Sequence, residues 1–342
     1  MTWLRKRYRL IATAKIAVAI GLMWFLIHGG KLNTAAVAGA AQRWPLLLLG
    51  IFLLYLQMAV GAWRWNILLN VQAVRIPLVK AFSLTMIGTL FNMIIPGAVG
   101  GDVIKGYYVS RCTVERKAHV VTTVLVDRVL GLVGMMAVAT FAGLMDWSLV
   151  SSNRTFTSLF FFVTASFVGL CLGLLISFSA SGRWAIALER LTHRLPGSAI
   201  IKRLIESLVE YRSRPYTVLQ AVVLSFVAQA LCCVSFYLSA LALGYNDLPV
   251  RAYLLVVPLG LVTTALPVAP GGIGVGQAAF YGLFRLLPDA TGGMGANACT
   301  VFQCLVVLMS LSGFLFYFTY KNEAAADVFS VPPPVADLPL EG

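Results

Sequence analysis

Four charged side chains stand out in an otherwise strongly apolar part of this chain: Asp102, Lys105, Asp127 and Arg128. Asp102 closes the segment Pro96-Gly97-Ala98-Val99-Gly100-Gly101-Asp102 and opens a short helical run, with Lys105 one turn further on. Glycines ahead of a helix start expose backbone N–H groups suited to an anion, and the lysine adds a cation suited to a phosphate. An Asp in this place is equally a good N-cap, accepting from the free amides of the first turn. Asp127-Arg128 falls some seven residues into an apolar stretch, about 10 Å deep at 1.5 Å per residue. Ionisable groups at such depth mark substrate paths or pair with one another. Adjacent residues on a helix point about 100° apart, so the two need not pair together, and Arg128 is expected to face Asp102 or a phosphate. Lys15 and Arg64 lie nearer the ends of their stretches, where snorkelling to the interface accounts for them.

A second Gly/Pro segment, Pro270-Gly271-Gly272-Ile273-Gly274-Val275-Gly276, follows about 170 residues later. Backbone so poor in helix propensity cannot face lipid, because its N–H and C=O groups would find no partners there. It must be buried in protein or line a polar cavity. A matched pair of such breaks in two halves of a membrane protein points to a transporter's binding site. Gln277, at the start of the helix after Gly276, is neutral, so the second segment offers hydrogen bonds and helix-end dipoles instead of formal charge. Asn92, four residues before Pro96, is expected to satisfy carbonyls freed by the proline. Thr263 and Thr264 are expected to bond carbonyls around Pro267. The expected substrate path therefore comprises Asn92, Pro96, Gly97, Gly100, Gly101, Asp102, Lys105, Asp127, Arg128, Pro270, Gly271, Gly272, Gly274 and Gln277.

A mean hydropathy of +0.86, with 59% hydrophobic and 11% charged residues, excludes an ordinary soluble globular domain. The chain reads as an all-α polytopic membrane protein. Apolar stretches of bilayer-spanning length, about 20 residues, fall near 10–28, 45–66, 120–145, 156–179, 217–243 and 296–319. Two further regions, 81–112 and 253–287, are apolar but interrupted by the Gly/Pro segments. Arg5, Lys6, Arg7 and Arg9 precede the first stretch without a clean cleavage site, so it reads as a span and not as a signal peptide. The six cysteines lack zinc or redox spacing and are expected to pack between helices. The three histidines are scattered, no metal site or cofactor is expected, and no nucleotide-binding loop or hydrolase motif is present.

Charge decides how the interrupted regions cross. No Asp or Glu precedes Asp102, while that stretch carries ten Lys/Arg. With both regions as re-entrant hairpins and the amino terminus inside, cytoplasmic segments hold 19 Lys/Arg and the opposite side five. With both as full spans, the numbers become 10 and 14. The positive-inside rule favours the hairpins, chiefly the first. Six full spans plus two re-entrant hairpins then form an inverted repeat: residues 1–145 with a hairpin near 81–112, and residues 156–320 with a hairpin near 253–287. Residues 181–214, basic with interspersed apolar side chains, suit interfacial helices, and 321–342 suit a disordered cytoplasmic tail.

Three stretches resemble a known family: Asn92 to Tyr108 (NMIIPGAVGGDVIKGYY), Leu125 to Leu132 (LVDRVLGL) and Pro267 to Phe280 (PVAPGGIGVGQAAF). Together they are similar to the flippase-like transmembrane family that includes the membrane region of lysylphosphatidylglycerol synthases, over nearly the whole chain to about residue 320. The resemblance implies a multi-pass protein of a bacterial or archaeal inner membrane, and the charge count puts both termini in the cytoplasm. It implies movement between leaflets of an anionic or aminoacylated phospholipid, or of a lipid-linked precursor. Asp102, Asp127 and Arg128 match the family pattern. Gln277 stands where the family often has Glu, and Gly276 where it often has Arg, so a charge in the second hairpin is missing here. In bifunctional relatives aminoacyl transfer belongs to a separate soluble domain, and the chain ends about 20 residues after its last span, so no synthase activity is expected. Membrane lipids are the expected partners, with a homo-oligomer or a biosynthetic partner as further associations and no nucleic acid. The alternatives are a non-transporting member of an envelope or lipid biosynthetic complex, and a membrane enzyme acting on lipid head groups.

Overall fold

The computed structural model describes residues 21, 23–30, 32–94, 100–111, 117–179, 210–212, 214–264 and 270–319. Most of the first expected span (10–28), most of the stretch 181–214 and all of 321–342 lie outside these. Among the described residues there is no strand, and nine α-helices have ten or more residues. They are α1 (Trp44–Val71), α2 (Leu78–Ile94), α3 (Gly100–Arg111), α4 (Lys117–Met145), α5 (Arg154–Ser179), α6 (Pro215–Ala242), α7 (Val250–Thr264), α8 (Val275–Phe284) and α9 (Gly292–Leu311). Five candidate spans emerge: Thr34–Val71, His119–Met145, Arg154–Leu175, Pro215–Ala242 and Gly292–Thr319. Each covers one of the stretches expected from the sequence beyond the first. The chain is a multi-pass membrane protein.

The centre of the molecule is the packing of α1 on α6. Both helices begin with Pro in the first turn, where a missing N–H costs no hydrogen bond. α6 buries a stripe of small residues, Ala221, Ser225, Ala228, Cys232, Ser235 and Ser239. Small side chains let backbones approach, which is how helices gain contact where lipid removes the hydrophobic drive. Ser235 Oγ donates to the Gly50 carbonyl of α1 at 3.0 Å. α6 ends at Gly244, whose φ of +88° permits the closing turn. Here the Tyr245 and Gly244 amides return to Ala240 and Leu241, and Arg43 donates to the Leu241 carbonyl at 2.7 Å. Phe236, Tyr253, Phe280, Phe284 and Phe302 knit α6 to α7, α8 and α9. Large apolar side chains such as Phe52, Phe141, Phe162 and Leu315 lie on the exterior, as a lipid-facing surface requires. Cys232, Cys233 and Cys299 are buried between helices as expected, whereas Cys304 is exposed.

Both interrupted regions reverse direction. Gly88 and Gly101 would lie about 20 Å apart along one continuous helix. Instead a Cβ on Gly101 would fall on the Gly88 carbonyl, and one on Gly88 would stand 2.8 Å from Lys105 Cδ. Only glycine at both positions allows α2 and α3 to meet backbone to backbone. In the second region a Cβ on Gly260 of α7 would strike the Phe280 ring of α8, and one on Gly272 would stand 2.7 Å from Thr264 Cβ. The helices of the two hairpins hold 17, 12, 15 and 10 residues. At 1.5 Å per residue the longest is about 26 Å, short of a hydrocarbon core about 30 Å thick.

Candidate functional site

The two interrupted regions touch where α2 ends. α2 packs on the short turn Pro270–Gly272, and Met93 Cε lies 3.5 Å from where a Cβ on Gly271 would stand. Gly271, Gly272 and Gly274 all take positive φ, +59°, +69° and +83°, a path that side chains with a Cβ enter only under strain. Gly100 opens α3 and Gly101 and Asp102 lie in its first turn. Pro96 and Gly97 fall outside the described residues.

Asp102 is not the N-cap. α3 begins at Gly100, so Asp102 sits inside the first turn, and its carboxylate turns toward cations. Arg128 reaches it through Nε and a terminal guanidinium nitrogen, both on Oδ2. Lys105 Nζ stands 3.8 Å from Oδ1. This is the Arg128–Asp102 neighbourhood expected from the sequence. The burial is unequal: the Asp102 side chain is 10% exposed and that of Arg128 50%. A half-exposed side chain thus closes on a buried carboxylate. Lys105 is buried and lies 4.6 Å over the Trp65 ring, a cation–π contact that offsets part of its lost hydration. Asn92 also departs from expectation. It does not serve carbonyls: its Oδ1 accepts from the Gly101 N–H at 2.8 Å, so it ties α2 to an otherwise unpartnered first-turn amide of α3.

Arg64 overturns the snorkelling reading. Its Nε donates to Asp127 Oδ1 at 2.8 Å, and a terminal nitrogen donates to Ser225 Oγ at 2.8 Å. The two ionic side chains are 12% and 11% exposed. The physical reason is the close approach of three helices around them. A Cβ on Gly134 of α4 would come within 2.6 Å of Ser225 on α6, leaving no lipid-facing route for the guanidinium. Asp127 and Arg128 therefore serve separate partners, as their angular separation allows. Arg64, Trp65 and Ser225 were missed, and the bare sequence held only a faint signal: an arginine seven residues inside the end of a long helix.

The second hairpin offers a neutral network. Gln277 Oε1 accepts from the Gly274 N–H at 2.7 Å, and Nε2 donates to Gln303 Oε1 at 2.7 Å and to Thr300 Oγ1 at 3.4 Å. Gln303 Nε2 returns to the Gly272 carbonyl at 3.3 Å. The α9 residues Gln303 and Thr300 were also missed, because nothing in their apolar surroundings marks them. Thr263 and Thr264 do bond carbonyls, but those of Gly260 and Leu261 in their own helix. An apolar cavity of about 430 Å³ opens beside this hairpin, between α4, α5, α7 and α8. Met135, Phe162, Val262, Ala279 and Leu283 line it, with Thr263.

The fold and site define a class: a polytopic helical membrane protein whose two broken hairpins meet, one charged and one neutral. Residues 12–313 match the model of the lysylphosphatidylglycerol synthase transmembrane region, and the chain belongs to that family. Neither the curated proteins nor the solved structures contain a match to the chain.

Proposed function

We propose that this protein moves a phospholipid that is anionic or aminoacylated, or a lipid-linked precursor, between the leaflets of a bacterial inner membrane. The carrying observation is the packing of α2 on the turn Pro270–Gly272, with Asp102, Arg128 and Lys105 on one side and the Gln277–Gln303 amides on the other. On this reading both hairpins are re-entrant, entered from opposite faces, within an inverted repeat. The packing supports it: α1 on α2, α3 on α4 and α2 on α9 have counterparts in α6 on α7, α8 on α9 and α7 on α4. The head group passes the polar hairpin ends while acyl chains stay in apolar surroundings such as the α4–α5–α7–α8 cavity. With no nucleotide-binding loop in the sequence, translocation is passive or driven by an ion gradient or substrate supply. The chain itself carries out no aminoacyl transfer, and lysine transfer from charged tRNA by the purified protein would overturn that part.

The test is leaflet exchange of fluorescent lipids in proteoliposomes across a lipid panel, comparing wild type with Asp102→Asn and Arg128→Gln. Exchange by wild type and altered rates in both variants are expected. Equal rates in all three would remove these residues from the mechanism. No exchange under any gradient or lipid would favour a non-transporting partner of a biosynthetic complex.

A further inference from the structure

The cavity between α4, α5, α7 and α8 offers nothing to a head group. Its one hydroxyl, that of Thr263, donates to the Gly260 carbonyl of its own helix at 2.6 Å, and the rest of the wall is apolar. Water finds too few polar partners in such a space to settle there. Left empty, it would cost its walls their dispersion contacts. At about 430 Å³ it is about three times the size of an apolar cavity that takes up benzene. It opens at the exterior, since Phe162 and Val262 on its wall are both exposed. Two methionines, Met135 and Met136, give the wall an adaptable surface. The occupant that suits all of this is a hydrocarbon chain drawn from the membrane.

The position of the cavity on α4 says which chain. Arg128, Leu132, Met135, Met136 and Ala139 are spaced i, i+4, i+7, i+8 and i+11, one face of a helix. That face carries a half-exposed guanidinium at one end and the cavity wall about 10–17 Å further along, at 1.5 Å per residue. Leu132, between the two, is apolar and exposed. On the hairpin side, Val262 and Thr263 lie in the last turn of α7. The cavity therefore reaches the broken end, where α2 packs on Pro270–Gly272.

We propose that this cavity seats the ester-proximal half of one acyl chain, belonging to the phospholipid whose head group passes Arg128. The proposal deepens the translocation reading and rests on it for the place of the head group. The seated chain keeps the lipid on α4 while its polar end changes partners at the hairpins.

Photo-crosslinking of the full-length chain in phosphatidylcholine nanodiscs tests this without any transport step. The probes are phosphatidylglycerol with a diazirine near the ester of one chain, the same lipid with the diazirine at the methyl end, and a diazirine-bearing free fatty acid. Peptide mass spectrometry locates the adducts. With the ester-proximal probe, adducts on Met135, Phe162 and Leu283 are expected to exceed those on the exterior Phe52 and Leu315 about tenfold, a difference of about 1.4 kcal/mol. The methyl-end probe is expected to label the cavity less than the ester-proximal one. Gly282→Leu, whose new side chain starts in open space, is expected to fill the cavity and bring its adducts down to the level of Phe52. Equal labelling of cavity and exterior in wild type overturns the proposal even if the variant does not fold. Undiminished cavity labelling in a folded Gly282→Leu does the same. Stronger labelling by the methyl-end probe overturns the placement of the head group at Arg128, and equal labelling by the free fatty acid overturns the phospholipid as source. A cavity labelled as expected in a chain that exchanges no lipid overturns the translocation reading and leaves the seat intact.

Discussion

Neutralising the Arg64–Asp127 pair one partner at a time should give two unequal losses of stability. The pair closes at 2.8 Å with both side chains nearly buried. Unit charges 3–4 Å apart interact by about 4–6 kcal/mol at an effective dielectric of 20, and losing one partner of a buried pair costs about 3–5 kcal/mol. The neighbours then separate the two variants. Arg64→Gln leaves Asp127 without its guanidinium but still within the field of Lys105. Asp127→Asn leaves the buried Arg64 without its carboxylate and with Lys105 within its field. Asp127→Asn is therefore expected near the upper end of the range and Arg64→Gln near the lower. The double variant leaves neither charge stranded and should cost less than Asp127→Asn alone. Reversible unfolding in mixed micelles measures all three, and the coupling free energy follows from the cycle. Coupling below about 0.5 kcal/mol, the level at which independent sites add, would refute the ion pair as a structural unit. A larger loss from Arg64→Gln than from Asp127→Asn would refute the part given to Lys105.

Gly101→Ala drives a methyl into the Gly88 carbonyl and should destabilise by about 1–3 kcal/mol or more. Gly61→Ala, with open space around the new methyl, should not, and thermal denaturation in detergent compares them. Gln277→Leu strips partners from the Gly274 amide and from Gln303, a loss of about 1–3 kcal/mol per orphaned group. Gln277→Glu keeps the Gly274 acceptor and should cost less in the same assay. In a cysteine-free background, single cysteines at Val79 and Ser110 should react with a membrane-impermeant reagent from one side, and those at Arg251 and Asp289 from the other. Labelling of Val79 and Ser110 from opposite sides would sink the re-entrant hairpin and the reading built on it.

Long apolar runs made α1, α4, α5, α6 and α9 legible, because a bilayer-spanning helix needs little more than length and hydropathy. The two hairpins were legible for the opposite reason, since Pro96-Gly97 and Pro270-Gly271-Gly272 are incompatible with helix. Arg128 beside Asp102 followed from depth and from the scarcity of partners. What hid was anything set by three-dimensional approach. Arg64 looks like an interfacial arginine until α4 and α6 close over it through Gly134 and Ser225. Asp102 reads as a cap until the helix start proves to be Gly100. Gln303 and Thr300 lie on a helix whose apolar neighbours give no sign that Gln277 needs them. Partner choice is a property of packing, and one sequence records packing only indirectly.

The contrast between the hairpins bears on how a lipid could leave as well as enter. A phosphate trapped between bare guanidinium and ammonium groups would bind too firmly to turn over. Here Asp102 engages Arg128 and Lys105, so under the proposed translocation an arriving phosphate would displace a carboxylate and gain only the difference, and the same carboxylate would assist its departure. The far side would need no counter-charge under that proposal, because the Gln277 and Gln303 amides offer dipoles. Asp102→Asn should therefore raise affinity for an anionic lipid and lower its exchange rate together, a split that leaflet-exchange and binding measurements on the same preparation would reveal. Faster exchange with tighter binding would mean that Asp102 does not compete with the phosphate.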